Sequence, residues 1–187
     1  MQAASYSAVE TLRDGRRVEI RALRPDDRDG LIAALGRTSA QSLYRRFFSV
    51  KRHFTEKETS FFLNVDFASH VALVAVIDEA RRSVIAGGGR YILVAAGRAE
   101  AAFAVVDQYQ GQGIGAALLR HLVAIAREAG LLELVAEVLP ENIAMLRVFE
   151  KSGLPLRKKR EEGTVHVTLQ LNPQPGRRQP FSTSGPD

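Results

Sequence analysis

The run Gln110-Gly111-Gln112-Gly113-Ile114-Gly115 constrains this chain more than any other stretch. It follows an apolar segment, Ala101 to Val106, that reads as a strand, and it opens an apolar-periodic segment, Gly113 to Ala129, that reads as a helix. A strand, a glycine-rich turn and a helix N-terminus in that order make a cradle for a pyrophosphate. Free backbone N–H groups and the positive end of the helix dipole point at one spot. Gly113 and Gly115 lack Cβ atoms, so phosphate oxygens can come close to the backbone. A Walker loop would need Gly-Lys-Ser/Thr where Gly115-Ala116-Ala117 stands. A dinucleotide fingerprint would need a longer last spacing and a place near the start of a βαβ unit.

Gln110, Gly113 and Gly115 do match the pattern Gln/Arg-x-x-Gly-x-Gly/Ala, which resembles the acyl-CoA pyrophosphate loop of the GNAT acyltransferases. The likeness continues downstream. Leu131 to Val138 reads as the next strand, and Pro140-Glu141-Asn142 as a turn into a helix, Ile143 to Lys151, closed by Ser152-Gly153. That stretch is similar to the GNAT pattern Asn-x-x-Ala/Met-x-x-x-Tyr/Phe-Glu-Lys-x-Gly. Upstream, Asp14-Gly15, Val18, Ile20-Arg21, Pro25, Asp27, Ser42-Leu43-Tyr44, Arg46-Phe47-Phe48 and Val65-Asp66 resemble the acetyltransferase module of bacterial Pat-type protein lysine acetyltransferases. Those modules are often fused to a further domain, and none is expected within these 187 residues.

The expected fold is therefore α/β (α+β) of GNAT type. Its sheet would be mixed, mostly antiparallel and twisted, of about seven strands, with helices on both faces and a splayed central strand pair. The acetyltransferase domain is expected over residues 9–171, between a flexible N-terminus, 1–8, and a disordered Pro/Gly-rich tail, 172–187. Arg17 to Leu23, Val71 to Asp78 and Val84 to Val94 read as strands, and Arg157 to Arg160 with Thr164 to Leu171 as a last hairpin. Pro25-Asp26-Asp27 starts one helix, Gln41 to Phe48 forms a second, and Thr55 with Glu58 makes a capping box for a third. Gly87-Gly88-Gly89 inside a strand predicts a bulge or a close backbone approach.

Composition narrows the function classes. The absence of cysteine removes disulfides, thiolate zinc sites and a cysteine nucleophile. No apolar run reaches the ~18 residues of a membrane span, and Met1 to Ala8 has no signal-peptide pattern. A soluble cytoplasmic protein is expected, with no membrane partner and no metal. The net charge of +5 favours a polyanionic ligand or an acidic partner only mildly, and no basic stripe with interleaved aromatics points to nucleic acid.

Acyl transfer to an amine needs a neutral amine, an aligned thioester and a leaving thiolate. Taking the proton from a lysine of reference pKa ~10.4 at pH 7 costs about 4–5 kcal/mol, which calls for a general base. Glu100 is the candidate. Its neighbours Ala99, Ala101, Ala102 and Phe103 predict a desolvated carboxylate, although a plain surface glutamate at a strand edge fits the same residues. In the Pat-type modules that Ala99 to Phe103 resembles, the matching glutamate is the base. Asp107 and Glu137 are reserve bases, and Glu137 would reach substrate where the central strands part.

The resemblance implies acetyl-CoA as co-substrate. Gln110, Gly111, Gln112, Gly113, Ile114 and Gly115 would hold its pyrophosphate, and strand backbone at Phe103 and Val105 would pair with the pantetheine amides. Asn142 would bond the pantetheine arm or fix the loop, or simply cap its helix. Phe149 stands where GNAT enzymes often place a tyrosine that protonates the thiolate. Arg45 and Arg46 are candidate contacts for an acidic partner surface, or else a solvated helix face. His121, near an apolar helix stripe, is expected to be structural.

The implied reaction is acetyl transfer to a protein lysine, with an acyl-CoA synthetase as the expected protein partner. Transfer to a small-molecule amine, or acyl-CoA binding without turnover, stay open as alternatives. The acceptor and the oligomeric state, monomer or dimer, are not fixed by the sequence.

Overall fold

The strands lie in the order β1-β2-β3-β4-β5-β6-β8-β7, one eight-stranded sheet in a computed structural model that describes residues 2–48, 55–80 and 82–172. They are β1 (Ser7–Thr11), β2 (Arg17–Ala22), β3 (His70–Glu79), β4 (Arg82–Ala95), β5 (Arg98–Val105), β6 (Glu133–Val138), β7 (Leu156–Glu161) and β8 (Thr164–Gln170). The helices are α1 (Arg28–Gly36), α2 (Ala40–Phe47), α3 (Glu56–Leu63), α4 (Ile114–Glu128) and α5 (Ile143–Glu150). Every neighbouring pair is antiparallel except β5 and β6. A parallel pair needs a long crossover, and α4 supplies it. Among the described residues no helix is long and apolar enough to cross a membrane.

The sheet has one strand more than expected. Ser7–Thr11 pairs with β2 from Ser7↔Arg21 to Thr11↔Arg17, so the expected domain start at residue 9 falls inside β1. Its alternation is short and mostly polar, which hides it from a pattern search. Long-range contacts hold it instead: His121 of α4 lies 2.8 Å from Glu10 Oε1 through Nε2, and its Nδ1 meets the Tyr6 hydroxyl. The structural role expected for His121 is thus a clasp between α4 and the N-terminal strand. Leu171 is fully buried and Asn172 exposed, and the remainder of the expected tail lies outside the described residues.

Two corners explain residues singled out in the sequence. Arg21 donates from Nη1 to Asp27 Oδ2 at 2.7 Å and from Nη2 to Oδ1 at 2.6 Å, and Asp27 also accepts from the Arg24 amide at 2.7 Å. The pair is buried, and it folds the 3-10 turn Pro25–Asp27 back onto β2. Burial alone would raise the Asp27 pKa, but the Arg21 hydrogen bonds and charge win and hold it below the ordinary carboxylate value. Asp66 accepts from the amides of Ala68, Ser69 and His70 at 2.9, 2.9 and 2.8 Å, which closes the turn into β3.

Alternation along the central strands sorts the sheet's faces. A Cβ on Gly89 would stand 2.8 Å from Phe103 Cδ1 and 3.0 Å from Leu122 Cδ1, so α4 packs on the face of Gly89 and Phe103. Gly88, Arg90, Ala102 and Ala104 line a cavity on the opposite face, together with residues of α1, α2 and α3. The close approach expected at the glycine triplet is real: a Cβ on Gly87 would be 2.8 Å from the Ala104 carbonyl oxygen. The register also shifts beside it, between Ala75 and Val76.

Candidate active site

β5 and β6 pair over only Arg98↔Glu133, Ala99↔Leu134 and Glu100↔Val135. Beyond Glu100 the strands part. β5 stays with β4, and β6 follows β8. The splayed central pair is therefore present, and among the described residues the edge of β5 from Ala101 to Val105 has no strand partner on that side. An extended arm carrying amides can add to such an edge.

The loop closes the far end of this gap. Gly113 is the N-cap of α4, at φ 102°, with no side chain to cap the helix. The first intrahelical bond runs from the Ala117 amide to the Gly113 carbonyl, which leaves the amides of Ile114, Gly115 and Ala116 unpaired within the helix. Among the described residues, no backbone bond is donated by Gly111, Gln112 or Gly113 either. The dipole of a 15-residue helix adds positive potential at the same place. The geometry suits a polyanion. Ile114 is buried, so only its backbone can serve.

Side chains beneath the loop hold it in shape. Gln110 Nε2 donates to the Val105 carbonyl at 3.0 Å, to Asp107 Oδ1 at 2.9 Å and to Ser42 Oγ at 3.2 Å. Gln112 accepts from Arg16 Nη2 at 2.5 Å and donates to the Gln108 carbonyl at 2.9 Å. Both glutamine side chains are thus engaged in bracing the turn. Tyr109 is buried at the base of the loop and donates to Glu79 at 2.9 Å, with Arg16 and Arg37 over its ring. Sequence reasoning missed Tyr109 as an anchor, because Glu79, Arg16 and Arg37 are remote in sequence.

Asp107 is a poor base. Burial pushes its pKa up, but hydrogen bonds from Ser42 Oγ at 2.5 Å and the Ser39 amide at 2.6 Å, with the Arg45 charge, hold it below the ordinary value. It ties α2 to the loop instead.

Glu100 shares a face with Val135, Ile92 and Ala102, the face covered by α1, α2 and α3. It is exposed. The desolvated setting expected from its apolar neighbours is absent, because alternation turns Ala99 and Ala101 into the core on the other face. Glu137 lies two residues past Val135 on β6, exposed, with its carboxylate 3.5 Å from His166. The two glutamates therefore flank the gap on one face.

Arg46 of α2 and Arg90 of β4 line the cavity on that face. Burial lowers Arg46 to about 10, opposed by the Glu100 charge. Burial and then the Arg46 charge lower Arg90 to about 9. The Arg45 charge acts on Asp107, and among the described residues its buried Nε has no hydrogen-bond partner. Asn142 caps α5, accepting from the Met145 amide at 3.2 Å. Phe149 is buried, 6.0 Å edge-on from Phe103 between ring centres. It has no proton to give.

The geometry is matched among known proteins. Residues 17–155, from the start of β2, match the acetyltransferase (GNAT) domain. The chain is 32% identical to an acetyltransferase of Pseudomonas aeruginosa over 73% of its own length and 74% of that protein's. It is also 32% identical to the acetyltransferase Pat of Mycolicibacterium smegmatis, over 76% of this chain but only 42% of that protein. The GNAT domain of S. lividans PAT superposes with a TM-score of 0.80 at 33% identity, covering 88% of this chain and 96% of that one. Salmonella typhimurium yncA, solved with its cofactor acetyl-CoA, shares the fold at 18% identity, with a TM-score of 0.68 over 85% of this chain and 96% of its own. The chain therefore belongs to the GNAT family of acetyltransferases.

Proposed function

We propose that the chain is a cytoplasmic, acetyl-CoA-dependent N-acetyltransferase acting on a protein lysine, with Glu100 as general base. The observation that carries this is the position of Glu100 at the last residue pair before β5 and β6 part, on the face opposite α4. In this reading the amides of Gly111 to Gly115 hold the pyrophosphate, and the free edge near Phe103 and Val105 takes the pantetheine amides. The Val105 carbonyl already accepts from Gln110, so its remaining lone pair is what it can offer. Asn142 spends its Oδ1 on the helix cap and has its amide hydrogens for the arm. Phe149 and Phe103 wall the apolar side.

The acceptor amine enters from the face of α1, α2 and α3. Glu100 takes its proton, directly or through one water. The amine nitrogen then attacks the thioester carbonyl, the C–S bond breaks, the thiolate leaves, and the nitrogen's second proton passes to water. A thiol of reference pKa ~8.5 is a tolerable leaving group without an acid, so Phe149 is compatible with turnover.

A protein acceptor is favoured by the surface around the entrance. Ile32, Tyr44, Phe48 and Phe61 expose 47, 41, 38 and 53% of their surface on these helices or their ends. Together with the likeness to Pat-type modules, this supports an acyl-CoA synthetase as the acceptor. It would have to present its lysine on a protruding loop, with Arg45, Arg46 and Glu137 near the contact.

The test is incubation with acetyl-CoA and an acyl-CoA synthetase of the same cell, followed by peptide mapping and a synthetase assay. One modified active-site lysine and a silenced synthetase are expected. Fast acetylation of spermidine with no synthetase modified would replace this reading by a small-amine enzyme.

A further inference from the structure

Arg46 and Arg90 approach one another from α2 and β4 across a cavity of about 100 Å3. Its wall is otherwise mostly apolar, with Gly88, Ala102, Ala104, Phe47 and Phe62 among the lining. Arg90 is fixed there. Its Nη1 lies 3.0 Å from His70 Nε2, its Nη2 donates to the Phe62 carbonyl at 3.4 Å, and its guanidinium stacks 4.6 Å over the Phe62 ring. Arg46 stacks 4.8 Å over the Phe47 ring.

Among the described residues neither guanidinium has a carboxylate in ion-pair contact; Glu100 reaches Arg46 only as a charge at longer range. Desolvated cations are ordinarily paired. Here two half-buried ones share one space and repel, yet both stay charged at neutral pH. The centre of β4 could have carried an apolar residue at position 90, as β3 does opposite with Ala72. A carboxylate would neutralise the pair and could be gripped by two forked donors at once. The cavity floor is Ala102 and Ala104, on the same face of β5 as Glu100. A carboxylate held there would lie on the face of the sheet that carries Glu100.

We propose that Arg46 and Arg90 form a carboxylate subsite of the transfer site, rested on the transferase reading above. Its ligand is an acid group on a short apolar stem, carried either by the acyl chain of the donor or by a residue beside the acceptor lysine.

Two arms separate the sources. The first measures, by calorimetry without turnover, the affinities of succinyl-CoA and butanoyl-CoA, which have equal chain length and differ in the carboxylate. The second measures acetyl transfer to paired lysine peptides bearing Glu or Gln next to the lysine. The anionic member of at least one pair should be favoured by about 10- to 100-fold, the range of a hydrogen-bonded charge. Arg46→Met and Arg90→Met should each erase most of that preference. If Arg90→Met does not fold, Arg46→Met on α2 decides. A preference in the first arm assigns the carboxylate to the donor, and one in the second assigns it to the acceptor. Equal behaviour in both pairs, or a preference that survives the substitutions, overturns the subsite. Failure of the transferase reading shows differently, as no product with any acceptor, while the binding arm still reports on the cavity.

Discussion

Glu100 pairs with Val135, and this is the last pair that joins β5 to β6. The carboxylate therefore stands at the apex of the gap, where no backbone partner crosses from one strand to the other. In the proposed reaction, an amine attacking a thioester held in that gap meets it there. Glu100→Gln keeps the shape and removes the basicity. Turnover should fall by on the order of 10²–10⁴, with acetyl-CoA affinity by calorimetry nearly unchanged. A wild-type rate at neutral pH would move the role to Glu137 or to solvent.

The loop gives a cleaner test at Gly115 than at Gly113. Gly113 sits at φ 102°, so any side chain there strains the backbone, by ~1–2 kcal/mol. At Gly115 a Cβ would meet Val148 Cγ2 at 3.7 Å and Val105 Cγ2 at 3.9 Å, which is ordinary contact. Gly115→Ala should fold normally and crowd only what approaches from outside. A loss of acetyl-CoA affinity of about tenfold or more, ~1.4 kcal/mol, is expected with the melting temperature little changed. Unaltered affinity would take the pyrophosphate away from this loop.

Asp27 sets an acid limit on the fold. Its pKa is depressed in the folded chain, so its contribution is fully present above the unfolded carboxylate value and is lost as pH falls through the folded value. Asp27→Asn leaves Arg21 buried without its counter-charge, which should cost about 3–5 kcal/mol at pH 7. Urea unfolding at several pH values reads this directly. The gap between wild type and variant should narrow below about pH 3.9, the reference carboxylate pKa. A constant gap would mean that Asp27 acts through shape and not charge.

Much of this arrangement is local, and local features were legible in the sequence. The Thr55–Glu58 capping box, the Asn142 cap, the glycine turn into α4 and the terminal hairpin all follow from residues a few positions apart. What escaped depends on which distant elements meet. β1 is too short and polar to announce itself, and only its tie to His121 reveals its place. The exposure of Glu100 follows from the two-residue period of β5, which neighbour composition had obscured. Arg90 did leave a trace: a charge between Gly89 and Tyr91, inside the otherwise apolar run from Val84 to Ala95. Its meaning needed α2, which brings Arg46 to the same cavity.

Phe149 bears on how the thiolate leaves. It is 2% exposed, and its ring meets Phe103 at 73°. Phe149→Tyr adds a hydroxyl where the ring is packed against Phe103. If the hydroxyl finds no partner, stability should fall by about 1–3 kcal/mol, read by urea unfolding. Turnover should stay within a few-fold of wild type, because a thiolate of reference pKa ~8.5 can depart and take its proton from water. Single-turnover kinetics decide between the two cases. A gain of tenfold or more in the chemical step would show that thiolate protonation limits the wild-type reaction, and that Phe149 holds the rate down.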